Sequence, residues 1–300
     1  MMFSFAFGDP GDEPSGALGM GLALLGGESR EEVLAPVERS GSEGGFSLWR
    51  GAGGLAGWSR ANPGNDLEGA TRRLYAEILR RVGGLSLYRT WNCIPKINGE
   101  SQDGLENYRA FCKGRSLAFE AGLGEGFQRR LPASTAVGTP NAEMTVVFLA
   151  GESPARYFEN PAQVPAYKYP PEHGPRPPSF ARASIVERAG KLDAFVSGTS
   201  SVRGHATVAP HDTAGQLDCT LENLRLVSRA CGLGDRLGAG RAARHFKVYL
   251  RNPGDHPSVA LQVRRRILAP GDRASYLCAD ICRSELNVEI EVTVRGADRV

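Results

Sequence analysis

From Leu286 to Val294 apolar and polar residues alternate, with Leu286, Val288, Ile290, Val292 and Val294 set against Asn287, Glu289, Glu291 and Thr293. A period of two predicts a strand and puts both carboxylates on one face. Acids on a strand face are ordinarily solvated. The segment before it, ASYLCADIC at 274–282, is apolar and turnless; it predicts a partner strand that sets Cys278 and Cys282 beside any acid pointing inward.

Upstream, FSLWRG at 46–51 reads as a strand and the glycine-rich GAGGLAGWSRANPGND after it as a loop. Leu67, Ala70, Leu74 and Ile78 recur at helical spacing through Val82, behind Asn65 or Asp66 as cap. SLYRTWNCIPKIN is a strand ended by Pro95, and Asp103 caps a helix carrying Leu105, Tyr108, Phe111, Cys112 and Leu117. Two short β-rich runs follow, at 133–139 and 143–151, around a Pro-Asn turn. After a proline-rich stretch the same order recurs. FVSGTSSV is a strand; Thr213 with Gln216 forms a capping box for a helix through Leu217, Leu221, Leu224 and Cys231. ARHFKVYL is a strand, Asp255 caps a helix with Val259 and Val263, and the paired strands at 274–294 close the unit. The fold class is therefore α+β, with two similar units side by side and mixed sheets packed against helices. The division is 1–152 with an irregular, strand-poor lead-in over 1–44, a connector at 153–183, and 184–300.

Length and composition add boundaries. A chain of 300 residues, 41% hydrophobic, buries a core. The 36 basic and 33 acidic residues are too balanced for a nucleic-acid scaffold, while leaving room for a local basic pocket. Six cysteines without a CxxC pair, and no secretory n-region, read as free thiols in a reducing cytoplasm. The longest N-terminal apolar run, Ala17 to Leu25, is broken by glycines and falls short of the ~20 residues a membrane helix needs. His205 and His211 have no third ligand at useful spacing, so no metal is expected. The stretch YFENPAQVPAYKYPPEHGPRPPSFARA holds seven prolines in 27 residues. Aromatics and the cations Lys168, Arg176 and Arg182 interleave with them, which suits a rigid wall over a pocket for a planar anion better than a free linker.

Five segments occur together: YRTWNCIPKIN at 88–98, GLENYRAFCKGR at 104–115, YFENPAQVPAYKYPPEHGPRPPSFARA at 157–183, FVSGTSSVRGH at 195–205 and DICRSELNVEIEV at the end. In kind and order they resemble the chorismatase family, relatives of the RidA/YjgF proteins, over about residues 45 to 295. The resemblance implies two RidA-like units, an enzyme that releases pyruvate from chorismate, and no cofactor. Rid proteins are trimers with sites between subunits, so for a chain with two units it leaves monomer and trimer both open.

Chorismate carries a ring carboxylate and an enolpyruvyl ether with a second carboxylate. Cleaving the ether needs a proton delivered to the terminal methylene carbon, by a carboxylic acid whose pKa is raised by burial. The resemblance gives that role to Glu289, the first glutamate of VEIE, rather than Glu291. For a carboxylate clamp the planar fork of Arg182 is the expected partner, with Tyr167, Tyr169 and Tyr276 as supporting hydroxyls and Gly198, Thr199 and His205 as further contacts. The position seven residues before the acid is a cysteine in hydroxybenzoate-forming relatives; here it is Cys282. The resemblance therefore implies 3-hydroxybenzoate as product, with a dihydroxycyclohexadiene carboxylate as the alternative. Two other classes remain: a RidA-type imine deaminase, against which Tyr276 stands where that family has an arginine, and a non-catalytic small-molecule sensor.

Overall fold

The computed structural model describes residues 1–8, 17–51, 53–101 and 104–298. A lead-in of short strands, β1 (Phe3–Ala6), β2 (Ala17–Gly19), β3 (Ala23–Gly27), β4 (Arg30–Leu34) and β5 (Glu38–Glu43), precedes the first unit. That unit runs β6 (Phe46–Gly51), β7 (Gly54–Ala61), α1 (Leu67–Val82), β8 (Ser86–Pro95), α2 (Asn107–Leu123), β9 (Ala133–Thr139) and β10 (Met144–Gly151). The rest is β11 (Ala155–Phe158), β12 (Ala183–Arg188), β13 (Lys191–Ser200), β14 (Val202–Arg203), β15 (Ala206–Thr207), α3 (Thr213–Ala230), β16 (Ala243–Leu250), α4 (His256–Arg266), β17 (Arg273–Cys278) and β18 (Val288–Ala297).

The expected duplication is present as topology. One sheet has the order β5-β6-β7-β10-β8-β9 and the other β11-β12-β13-β18-β16-β17-β3. In each, a hairpin leads to a helix, a strand, a second helix and a strand parallel to the first, β8 with β9 and β16 with β17. The last strand of each unit, β10 or β18, then inserts antiparallel into the middle. Leu67, Tyr75, Phe111 and Phe119 of α1 and α2 pack on the outer face of the first sheet. Leu217, Leu224, Val259 and Val263 of α3 and α4 cover the outer face of the second. The inner faces meet in a third core that includes Tyr88, Val147, Phe195 and Leu277.

Several expectations are corrected. The lead-in is built of strands: β1, β2 and β4 form a small sheet, β5 extends the first large sheet, and β3 pairs with β17 of the second. These strands are three to six residues long and interrupted by glycines, so no period shows. The stretch expected as a loop after β6 is largely β7. Gly57 serves packing rather than turning, since a Cβ there would lie 2.6 Å from Phe148 and 2.7 Å from Leu48. Asp66 caps α1 by accepting from the Gly69 amide at 2.7 Å. Asp103, expected to cap α2, lies outside the described residues; α2 starts after Glu106, which makes no side-chain cap bond. The capping box at α3 does not form. Asp212 caps the helix at the Ala214 amide, and Thr213 donates instead to Asp255 at 2.7 Å. Asp255 precedes α4 without a side-chain cap bond. Among the described residues no helix is long and apolar enough to cross a membrane.

Candidate active site

Because β18 is the middle strand of its sheet, both its faces are covered. Val288, Ile290, Val292 and Val294 face α3 and α4, and the alternation sends Glu289, Glu291 and Thr293 between the sheets, each under 9% exposed. The expectation that β17 pairs with this strand fails, because β16 lies between them. Cys278 therefore sits away from the acids, with its thiol toward the Arg251 carbonyl. Cys282 lies past the end of β17, in the loop that returns to β18. Arg251 ties that loop down, donating to the carbonyls of Ile281, Arg283 and Leu286. Gln216 fixes its end, donating to the Glu285 carbonyl at 2.7 Å and accepting from the Asn287 amide at 2.7 Å.

The two carboxylates meet opposite environments. Trp91 donates to Glu291 at 2.8 Å, and Arg89 and Lys247 pair with it at 2.8 and 2.5 Å. Burial alone would raise its pKa, but the Lys247 ammonium and the Arg89 guanidinium outweigh it and hold Glu291 down at about 2. Glu289, two residues back, has no ion pair among the described residues; burial pushes it up to about 7 against a hydrogen bond from Ser200 at 2.9 Å. The two environments drive the paired carboxylates apart, Glu289 toward its protonated form and Glu291 toward a fixed charge. Gly198 faces Glu289 so closely that a Cβ there would overlap the carboxylate, which explains a glycine in mid-strand.

Glu289 opens onto a cavity of about 360 Å³ between the two units. Ser134, Thr135 and Arg115 of the first unit line it opposite Gly198 and Ser200. The proline-rich stretch forms one wall, as expected, through Tyr169, His173, Pro178, Phe180 and Arg182. Arg182 is 6% exposed, donates to the Tyr169 hydroxyl at 2.8 Å and stacks on Phe180; its Nε is buried without a partner. Arg115, 1% exposed, donates to Ser134 at 3.0 Å, stacks on Phe111, and also leaves its Nε unpartnered. Among the described residues neither guanidinium has a carboxylate within salt-bridge distance. Cys282 lines the same cavity; burial, reinforced by the Glu289 charge, pushes its thiol up to about 12, so it stays protonated.

Of the residues singled out from sequence, Glu289, Cys282, Arg182, Tyr169 and Gly198 come together in this cavity. Thr199 is buried beside it, its hydroxyl on the Ser197 carbonyl. Tyr167 packs instead against the core of the first unit. Tyr276 is on the wrong face of the second sheet: it lies among the residues packed on α3 and α4, its ring 5.0 Å from His256. His205 does not line the cavity itself and stands behind its rim, against His173, Glu172 and Arg283. His211 adopts φ 63° and engages through its backbone, donating to the Glu285 carbonyl.

Comparison with known proteins bears on this arrangement. Residues 33–150 match the family model described as chorismatase FkbO/Hyg5-like, N-terminal. The chain is 41% identical over 237 residues to the 3-hydroxybenzoate synthase of Streptomyces hygroscopicus, spanning 75% of this chain and 69% of that protein. It is 37% identical to a chorismatase of Streptomyces rapamycinicus, over 86% of this chain and 79% of the relative. The chain belongs to the chorismatase family. A chorismatase crystal structure superposes with a TM-score of 0.83 at 31% identity, covering 98% of this chain and 92% of that one. The chorismatase fold thus extends over both units, including the lead-in strands that sequence patterning missed.

Arg115, Arg89, Trp91 and Lys247 were not singled out from sequence. Arg115 carried a signal, since it stands four residues from both Phe111 and Phe119 on the apolar stripe of α2, where a cation belongs only if it is paired or functional.

Proposed function

We propose that this chain converts chorismate to 3-hydroxybenzoate and pyruvate, with Glu289 as the acid. The observation that carries the reading is a protonatable buried carboxyl in one cavity with two buried guanidiniums that lack anions. An unpaired buried cation is costly, and a substrate with two carboxylates supplies two partners for Arg115 and Arg182. Glu289 transfers its proton to the terminal methylene carbon of the enolpyruvyl group, which becomes the methyl group of pyruvate. The ring hydroxyl next to the ether carbon displaces the departing oxygen and loses its proton, giving an arene oxide. Opening of the oxide, loss of the ring C–H proton and protonation of the oxygen yield 3-hydroxybenzoate, so atoms balance without water. Glu291, fixed as an anion, disfavours ionisation of Glu289 and helps keep the proton in place.

Incubation of the chain with chorismate, with products identified by mass spectrometry, tests the reading. Equimolar pyruvate and 3-hydroxybenzoate are expected; no pyruvate would overturn it. Arg182→Lys keeps the charge but loses the fork that bridges Tyr169 and the cavity. A KM at least about tenfold higher, with a smaller change in kcat, is expected, and an unchanged KM would mean that Arg182 touches no carboxylate.

Cys282 bears on the product. Its protonated thiol is larger than a methyl group and weakly polar, and it occupies cavity wall near Glu289 that a water would otherwise reach. Cys282→Ala is expected to divert part of the flux to the dihydroxycyclohexadiene carboxylate, read as a second product by chromatography. An unchanged product ratio would remove Cys282 from product control.

A further inference from the structure

The proline-rich wall carries a cluster that the proton transfer does not use. His173 Nε2 lies 3.0 Å from His205 Nδ1, and Glu172 Oε1 lies 3.5 Å from the first and 3.4 Å from the second. Three donor atoms from two segments thus form a nearly equilateral triangle. A tetrahedral Zn²⁺ with bonds of about 2.0–2.1 Å spaces its ligand atoms by about 3.3–3.4 Å. An ion seated over this triangle meets all three atoms with little movement of the chain. Two imidazoles and one carboxylate are also the ligand set of open zinc sites, in which water or another ligand takes the fourth position.

The donors are held in place. Glu172 and His173 belong to a single tight turn, Pro171–His173, entered through Pro170. Arg283 donates to the main-chain carbonyl of His205 at 2.9 Å. The Tyr169 ring lies 5.0 Å from the His173 ring and 6.3 Å from that of His205. A simple hydrogen bond between the imidazoles would account for the 3.0 Å contact, but it leaves the approach of Glu172 to both nitrogens without a role. No sequence spacing disclosed the set, because His205 pairs with a histidine 32 residues earlier and not with His211.

We propose that Glu172, His173 and His205 bind a divalent transition-metal ion of the zinc class at the rim of the cavity, leaving one coordination position open. The ion takes no part in proton delivery by Glu289, and its binding is independent of what the cavity turns over.

The test uses the full chain, freed of metal by dialysis against a chelator. Co²⁺ titration is read in the visible spectrum for the intense bands of a tetrahedral site, and Zn²⁺ titration by calorimetry. One ion per chain is expected, with Zn²⁺ displacing Co²⁺. His173→Ala and His205→Ala are each expected to weaken binding at least about tenfold, whereas the remote His256→Gln binds as wild type. Glu172→Gln is the variant least able to disturb folding, its side chain being 65% exposed; it too is expected to weaken binding. Absence of tetrahedral Co²⁺ bands, or unchanged affinity in Glu172→Gln and His205→Ala with native circular dichroism, would overturn the proposal.

Discussion

Glu289→Gln is expected to lower kcat for pyruvate release by at least ~10², the scale for loss of a general acid, with KM for chorismate nearly unchanged. Glutamine fills the same space and still accepts from Ser200, which bonds the wild-type carboxyl at 2.9 Å, but it has no proton to give to carbon. The pH profile is a second reading of the same group. The acid works when protonated, and burial pushes Glu289 up to about 7, so kcat/KM is expected to be level below that pH and to fall as pH rises through it. Stability should separate this loss from misfolding. A carboxyl whose folded pKa is raised favours the folded state below its ordinary value near 4.5, and that contribution is lost as pH rises through about 7. Glutamine never ionises, so the Tm of the variant at pH 8 should equal or exceed that of wild type. Near-wild-type turnover would remove Glu289 as the acid.

Lys247→Met is expected to destabilise the fold by ~3–5 kcal/mol, the scale for stripping one partner from a buried ion pair. Lys247 is 2% exposed and joins two carboxylates, Glu31 of the lead-in and Glu291 of β18, beneath the rings of Phe5 and Trp91. Methionine fills the volume but leaves Glu31 with the Thr293 hydroxyl and Glu291 with Arg89 and Trp91. A Tm lower by roughly 10 °C at pH 7 is expected. The sign with pH follows from Glu291. Its carboxyl sits at about 2 in the folded chain, a contribution present above the ordinary value and lost as pH falls through the folded one. Without the ammonium that depression shrinks, so the deficit should be greatest at neutral pH and diminish toward acid. A deficit under about 1 kcal/mol, the range of exposed ion pairs, would show that the ammonium does not hold the layer together.

The long periodic segments were legible because one period ran their length, as in α1, β9, β10 and β18. Duplication was legible from element order alone, although β7 read as a loop and β12 as no element at all. The lead-in was not legible, because β1 to β5 gain their stability from partners far along the chain: β3 lies against β17, some 250 residues away. For the site, a strand with two acids on one face was visible, but whether that face met water or another sheet is a property of packing. Lys247 shows the same limit. In ARHFKVYL it alternates with Phe246 and Val248, a pattern that does not disclose burial; the first sheet, through Trp91, closes over it. Tyr276 shows the converse: its hydroxyl and its position near the acid in sequence pointed to the cavity, and the order of strands sends it to the opposite face.

The two units divide the work of the cavity unequally. At the position in the first unit equivalent to β18, strand β10 presents Val147 and Leu149 to the inner layer where β18 presents acids. The first unit has no acid of its own on that strand, yet it supplies Arg89 and Trp91 to Glu291, and Arg115, Ser134 and Thr135 to the cavity onto which Glu289 opens. Among the described residues, the pair of buried acids thus lies in one centre assembled from both halves. Because the halves are tethered, the effective concentration of one for the other is fixed by the linking chain and not by the amount of protein present. Assembly of the centre is therefore insensitive to dilution, a property that two separate half-chains would lose.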